Sequence, residues 1–233
     1  MSRQIEIAEL NGPGRFAAYV AEPRDAPKAA IVVIQEVFGV NEGIRAKCDR
    51  WAEQGYVAVA PDLFWRIEPG FEVDPDQSDG LERGIAMIQK FDQDQGVADL
   101  EATIREARGL AGGGKVGAVG FCMGGRLAFM VATRTDVDAA VGYYGVGIDG
   151  LVRESHAIAR PVMLHIPTDD GFVAPEVQKA MHEGLDDHPR VTLHDYEGLD
   201  HGFADTFGKR RDEAGATLAD GRTAEFFVQH LAR

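Results

Sequence analysis

The stretch "KVGAVGFCMGGRLAFMVA", residues 115–132, sets Cys122 between an apolar run and an amphipathic helical pattern, with Gly120 and Gly124 on either side. A Gly-x-nucleophile-x-Gly turn between a strand and a helix pushes its central side chain out at the sheet's C-terminal edge. Small flanking residues permit that, because they tolerate close backbone approach and strained dihedrals. The helix that follows is expected to lie with its N-terminus under the thiol, lowering its pKa and favouring thiolate. The backbone N–H of Met123 would then point at a developing oxyanion. Taken alone, the stretch fits a buried, inert cysteine in a glycine-rich turn equally well. Cys48, on the apolar stripe of a helical pattern and without flanking glycines, reads as core.

Outward from this turn, apolar runs alternate with helical patterns. Ile5 and Ile7, then "NGPG", then Phe16, Ala18 and Val20 read as a hairpin. "AAIVVIQ" (29–35), "YVAVAPDLF" (56–64), "VGAVGF" (116–121), "AAVGYYG" (139–145) and "PVMLHIP" (161–167) are continuous apolar runs. Such runs are expected of strands buried on both faces of a parallel sheet. "VTLHDYE" (191–197) completes the set. Helices are expected around Ile44–Ala52, at 81–91, 97–110, 175–186 and 222–232, and after Cys122. This pattern predicts an α/β fold: a mostly parallel twisted sheet, helices on both faces, and an antiparallel N-terminal edge hairpin. With no repeat or linker, residues 1–233 read as one domain. The polar segment from Glu68 to Gly96 departs most from tight spacing and is expected to wall a pocket over the strand ends.

Two more stretches carry chemistry. "TDDGFV" (168–173) puts Asp169 and Asp170 just after one strand, and "HGF" (201–203) puts His201 just after the next. Nucleophile, acid and base in that chain order, each at a strand's C-terminal end, is the arrangement of an α/β hydrolase. Cys122, Asp170 and His201 therefore form a candidate triad, with Asp170 preferred over Asp169. His201 would move the thiol proton, and Asp170 would fix its tautomer. Glu36 ends a buried strand, where a charge is costly unless paired or used.

The formal net charge of −14 disfavours nucleic acid and anionic lipid as partners. No apolar run approaches the ~20 residues of a membrane span, and the N-terminal stretch lacks a signal-peptide core. Two cysteines give no disulfide scaffold or four-cysteine metal site, so a reducing, cytoplasmic setting is expected. "HEGLDDH" (182–188) lacks metal-site spacing, "GGGK" (112–115) lacks the full phosphate-loop pattern, and "GKRRDE" (208–213) reads as a solvated loop.

Together, "GFCMGG", "VIQEVFGVNEGIR", "GYVAVAPDLF", "DAAVGYYG" and "GLDHGFA" resemble the dienelactone hydrolases, or carboxymethylenebutenolidases, from about residue 29 to the last helix. The resemblance implies a monomeric α/β hydrolase, without metal or cofactor, that opens an enol-lactone through a thiol ester. Carried onto this chain, Cys122, Asp170 and His201 match the family triad, and Glu36 matches a glutamate that sets the thiol's protonation. The Val37 N–H matches a second oxyanion donor beside Met123; Phe38 and Tyr144 match pocket positions.

The departures are specific. The two arginines that clamp the substrate carboxylate in this family fall on Leu81 and Asp205, and a family aromatic falls on Ile85. Arg83, Lys209, Arg210 and Arg211 are the nearby cations that could take over. Losing such a clamp favours a neutral or more apolar ester, lactone or thioester. The competing reading is a catalytically silent α/β-hydrolase-fold protein that binds a small molecule.

Overall fold

The structure is a computed structural model, and it describes residues 1–232. Eight strands form one sheet: β1 (Ser2–Ala8), β2 (Arg15–Ala21), β3 (Ala30–Ile34), β4 (Val57–Pro61), β5 (Val116–Phe121), β6 (Ala139–Tyr143), β7 (Val162–Pro167) and β8 (Val191–Tyr196). Their order across the sheet is β1-β2-β4-β3-β5-β6-β7-β8. The β1–β2 and β2–β4 pairs are antiparallel and every other pair is parallel. This is the α/β-hydrolase architecture with an antiparallel N-terminal edge that the alternating pattern predicts.

The helices are α1 (Glu42–Glu53), α2 (Gly80–Ile88), α3 (Gln93–Leu110), α4 (Met123–Arg134), α5 (Pro175–Leu185) and α6 (Glu213–Leu231). Every residue of β3, β4 and β5 is buried, as strands covered on both faces must be. Successive side chains of β3 part accordingly. Val32 and Ile34 pack with α3 and α4, whereas Ile31 and Val33 pack with Trp51 of α1 and Phe227 of α6.

The structure differs from the sequence reading at several element boundaries and in one added element. The last helix begins at Glu213 instead of 222, because Asp212 caps it by accepting from the Gly215 N–H at 2.7 Å. Its first turns bury only Gly215, Ala216 and Ala219, so the apolar stripe there is faint. β4 stops at Pro61, because Asp62 turns the chain by accepting from the N–H groups of Phe64 and Gly70, at 3.0 and 2.7 Å. A 3-10 helix at Asp149–Ala157 has no counterpart in the sequence reading.

Beneath β6–β8 lies a buried polar chain. His165 bonds Tyr196 Oη through Nδ1 at 2.6 Å and Thr223 Oγ1 through Nε2 at 2.9 Å. Tyr143 Oη is 2.6 Å from the same threonine hydroxyl. Burial holds the His165 imidazole well below its ordinary pKa. The network joins α6 to the sheet and satisfies polar groups that would otherwise be costly.

Candidate active site

Cys122 stands between β5 and α4 with φ 53°, a left-handed conformation strained for a residue with a Cβ. The flanking glycines are required by contact. A Cβ on Gly120 would lie 1.9 Å from the Gly124 carbonyl oxygen, and one on Gly124 would lie 2.4 Å from the Ile34 carbonyl oxygen. The turn is fastened by Cys122 N–H donating to the Tyr143 oxygen at 3.1 Å and Gly125 N–H donating to the Cys122 oxygen at 2.9 Å.

The thiol differs from expectation in one respect. Burial and then the Glu36 carboxyl push its pKa up, and only the Met123 N–H works downward. The helix N-terminus does not outweigh removal from water, so the resting group is a thiol.

On the loop after β7, Asp170 is buried and Asp169 is exposed. His201 Nδ1 lies 3.0 and 3.1 Å from the two Asp170 carboxylate oxygens. Asp200 ties the two loops together, accepting from the N–H of Gly171 at 2.9 Å and of His201 at 2.7 Å. The imidazole is flanked by Tyr144 and Phe172, with ring centroids 4.8 and 4.7 Å away.

A cavity of about 410 Å³ opens over Cys122 and His201. Its lining includes Glu36, Val37, Phe38, Leu81, Ile85, Met123 and Asp205, as the sequence reading expects. Pro75, Asp76, Ile88, Phe91 and Gln93 confirm that the segment after Glu68 forms its wall. Leu81, Ile85 and Ile88 stand at i, i+4 and i+7, an apolar face of α2 turned to the opening.

Tyr144 does not line this cavity. It is 1% exposed, and its hydroxyl donates to Asp205 Oδ1 at 3.0 Å. Asp205 and Glu36 line the same cavity. Burial, and then the charge of Asp205, hold Glu36 well above the usual carboxylate range, with Lys47 opposing. Burial raises the pKa of the Asp205 carboxyl as well, with Lys47 and the Tyr144 hydroxyl opposing. Lys47 is buried; it donates to the Ala204 oxygen at 2.7 Å and lies 4.0 Å from the centre of the Phe121 ring. The same two carboxyls also line a neighbouring cavity of about 420 Å³ walled by Glu42, Glu72 and Asp74.

Of the nearby cations, Arg210 reaches the cavity, with its guanidinium 5.6 Å from the Phe172 ring centre. Arg83 packs instead over Phe71, and the Arg211 side chain holds Glu213 and the Asp205 carbonyl. Lys209 touches Asp76 through its backbone N–H. Arg126, which the sequence reading did not single out, also lines the cavity. Its position at i+4 from Cys122 on an amphipathic helix was the available signal. Cys48 is fully buried in the α1 face of the core.

Among the described residues, no three His, Cys, Asp or Glu side chains are placed to hold a metal ion. No helix among them is long and apolar enough to cross a membrane.

Residues 16–231 match the model of the dienelactone hydrolase family. The chain is 41% identical to a carboxymethylenebutenolidase of Pseudomonas putida over 229 residues, covering 98% of this chain and 97% of that one. It is 37% identical to carboxymethylenebutenolidase 1 of Cupriavidus pinatubonensis at the same coverage. A crystal structure of a candidate dienelactone hydrolase from Klebsiella pneumoniae superimposes with a TM-score of 0.84 at 26% identity, covering 98% and 99% of the two chains.

Proposed function

The chain belongs to the dienelactone hydrolase family, and on that premise we propose that it hydrolyses a carboxylic ester or lactone through a thiol ester on Cys122. The observation that carries this reading is the Asp170–His201 pair. It occupies Nδ1 and, among the described residues, leaves Nε2 without a hydrogen-bond partner, at the cavity that His201 shares with Cys122.

In the proposed reaction His201 takes the proton from Cys122 as sulfur attacks the substrate carbonyl carbon. The resulting oxyanion is received by the N–H groups of Val37 and Met123. Collapse breaks the carbon–oxygen bond, and His201 gives its proton to the departing oxygen. The acyl group stays on sulfur. His201 then takes a proton from water, whose oxygen attacks the thiol ester; the acid departs and Cys122 regains its proton. Asp170 holds the imidazole in the required tautomer throughout. Because the resting thiol is neutral, proton transfer to His201 accompanies attack instead of preceding it.

The substrate is altered relative to the family pattern. Leu81 and Ile85 present methyl groups where a carboxylate clamp and an aromatic would stand, and Asp205 repels a second carboxylate. The part of the ester, lactone or thioester that meets α2 is therefore uncharged and apolar.

The test is hydrolysis of a chromogenic short-chain aryl ester by the wild type, Cys122→Ala and Cys122→Ser, with mass spectrometry of the acylated protein. Loss of turnover in Cys122→Ala and an acyl adduct on the Cys122 peptide are expected. Full activity in Cys122→Ala would overturn the nucleophile assignment.

A further inference from the structure

One polar group of the cavity has no part in the reaction above. Arg126 stands one turn beyond Cys122 on α4, about 6 Å further along the helix. Its Nε donates to Gln93 Oε1 at 2.7 Å, and its Nη1 donates to the Gly147 carbonyl oxygen. Both partners are uncharged, and both line the same cavity.

Among the described residues Arg126 forms no ion pair, and its Nη2 has no hydrogen-bond partner. Asp149 and Glu154 act on it only through their fields, and burial weakens its hold on its proton. The backbone is moulded to it: Gly147 has φ 77°, and a Cβ there would lie 2.3 Å from Nη1. A half-buried guanidinium, oriented by two neutral acceptors and lacking a counter-ion, gains most from a planar anion.

The two ends of the cavity differ. The departing oxygen takes its proton from His201, so the alcohol part must lie on the side of His201, Phe172 and Arg210. The acyl part remains on Cys122, where Leu127, Ile88 and Phe91 give an apolar wall and Arg126 a polar end. With a surface whose net charge is −14, a single fixed cation at that end would decide which acids are accepted.

We propose that Arg126 is a specificity-determining residue that binds a carboxylate at the far end of the substrate's acyl chain. The preferred substrates are half-esters of dicarboxylic acids, with the methylene chain on the apolar wall and the free carboxylate on Arg126. This rests on Cys122 as the acylated residue, and places the carboxylate away from the Leu81 and Asp205 positions.

The experiment compares the p-nitrophenyl half-ester of adipic acid with its neutral isostere, p-nitrophenyl 6-methylheptanoate. Arg126→Gln is expected to lower the ratio of kcat/KM values, adipate over isostere, about tenfold or more, mainly through KM. Arg126→Lys should recover part of that ratio. A ratio within about twofold of wild type in Arg126→Gln would overturn the proposal.

A second readout does not need turnover: binding of the adipate half-amide to Cys122→Ala protein, with and without Arg126→Gln. Arg126-dependent binding supports the carboxylate site even if Cys122→Ala retains activity and the nucleophile assignment fails. Equal binding by both proteins overturns it.

Discussion

Tyr144 donates its hydroxyl hydrogen to Asp205 Oδ1 at 3.0 Å, and so fixes a carboxyl whose charge raises the pKa of Glu36, at the cavity that Glu36 shares with Cys122. Tyr144 itself has φ 39°, a conformation sustained by the packing of its ring on Phe121, His201 and Phe203. Asp205→Asn keeps the shape and removes the charge. Glu36 should then ionise at lower pH, by about one unit or more, in a carboxyl-labelled NMR titration. An unmoved Glu36 midpoint would contradict Asp205 as the charge that raises it.

Asp170→Asn should separate orientation from charge at His201. An amide can still accept from the Phe172 N–H, a bond that measures 2.8 Å with the carboxylate, so the loop should hold. It cannot enforce an Nδ1–H tautomer, and kcat should fall by roughly 10²–10⁴. Circular dichroism and thermal melting should match wild type. Activity within tenfold of wild type would show that His201 is oriented by other means.

The strands and the order of the triad were legible because they rest on local signals. Continuous apolar runs mark buried parallel strands, and Gly120 and Gly124 flank a turn that no larger residue could make. What escaped depended on contacts between distant segments. Glu36 is buried, and feels the charge of Asp205, only once β3 and the loop after β8 are in place, so the rise in its pKa has no local trace. The rise in the thiol's pKa follows likewise from burial, whereas sequence shows only the helix N-terminus. Arg126 was hidden by its neighbours' clearer role, and Arg210 was one of four nearby cations until the fold brought it alone among them to the cavity.

The buried His165 predicts how stability varies with pH. Its ordinary value is 6.5, and burial holds the folded value well below that. A depressed histidine contributes stability that is present above about pH 6.5 and is lost as pH falls toward the folded value. The loss amounts to about 1.4 kcal/mol per pH unit in that window. Chemical denaturation should therefore show stability falling between about pH 6.5 and 5. His165→Gln can still bond to Thr223 or Tyr196; it should be less stable at pH 8 but show a shallower acid slope. An equal slope in both proteins would place the acid sensitivity elsewhere.

Leu81→Arg tests whether the α2 wall excludes charge for want of a cation. Leu81 is 37% exposed at the opening, so an arginine there can be housed without disturbing the core. Yet Asp76 and Asp205 line the same cavity and would compete with substrate for the new guanidinium. Leu81→Arg alone should therefore lower KM for a carboxylated enol-lactone only about two- to threefold, as expected of a partly solvated charge pair. Combined with Asp205→Asn, which removes one competitor and one source of repulsion, the gain should reach about tenfold. Neutral aryl esters should lose ground in both variants, since a charged stem replaces an apolar contact. Equal gains from the single and double variants would mean that Asp205 does not face the substrate, and that its carboxyl serves Glu36 alone.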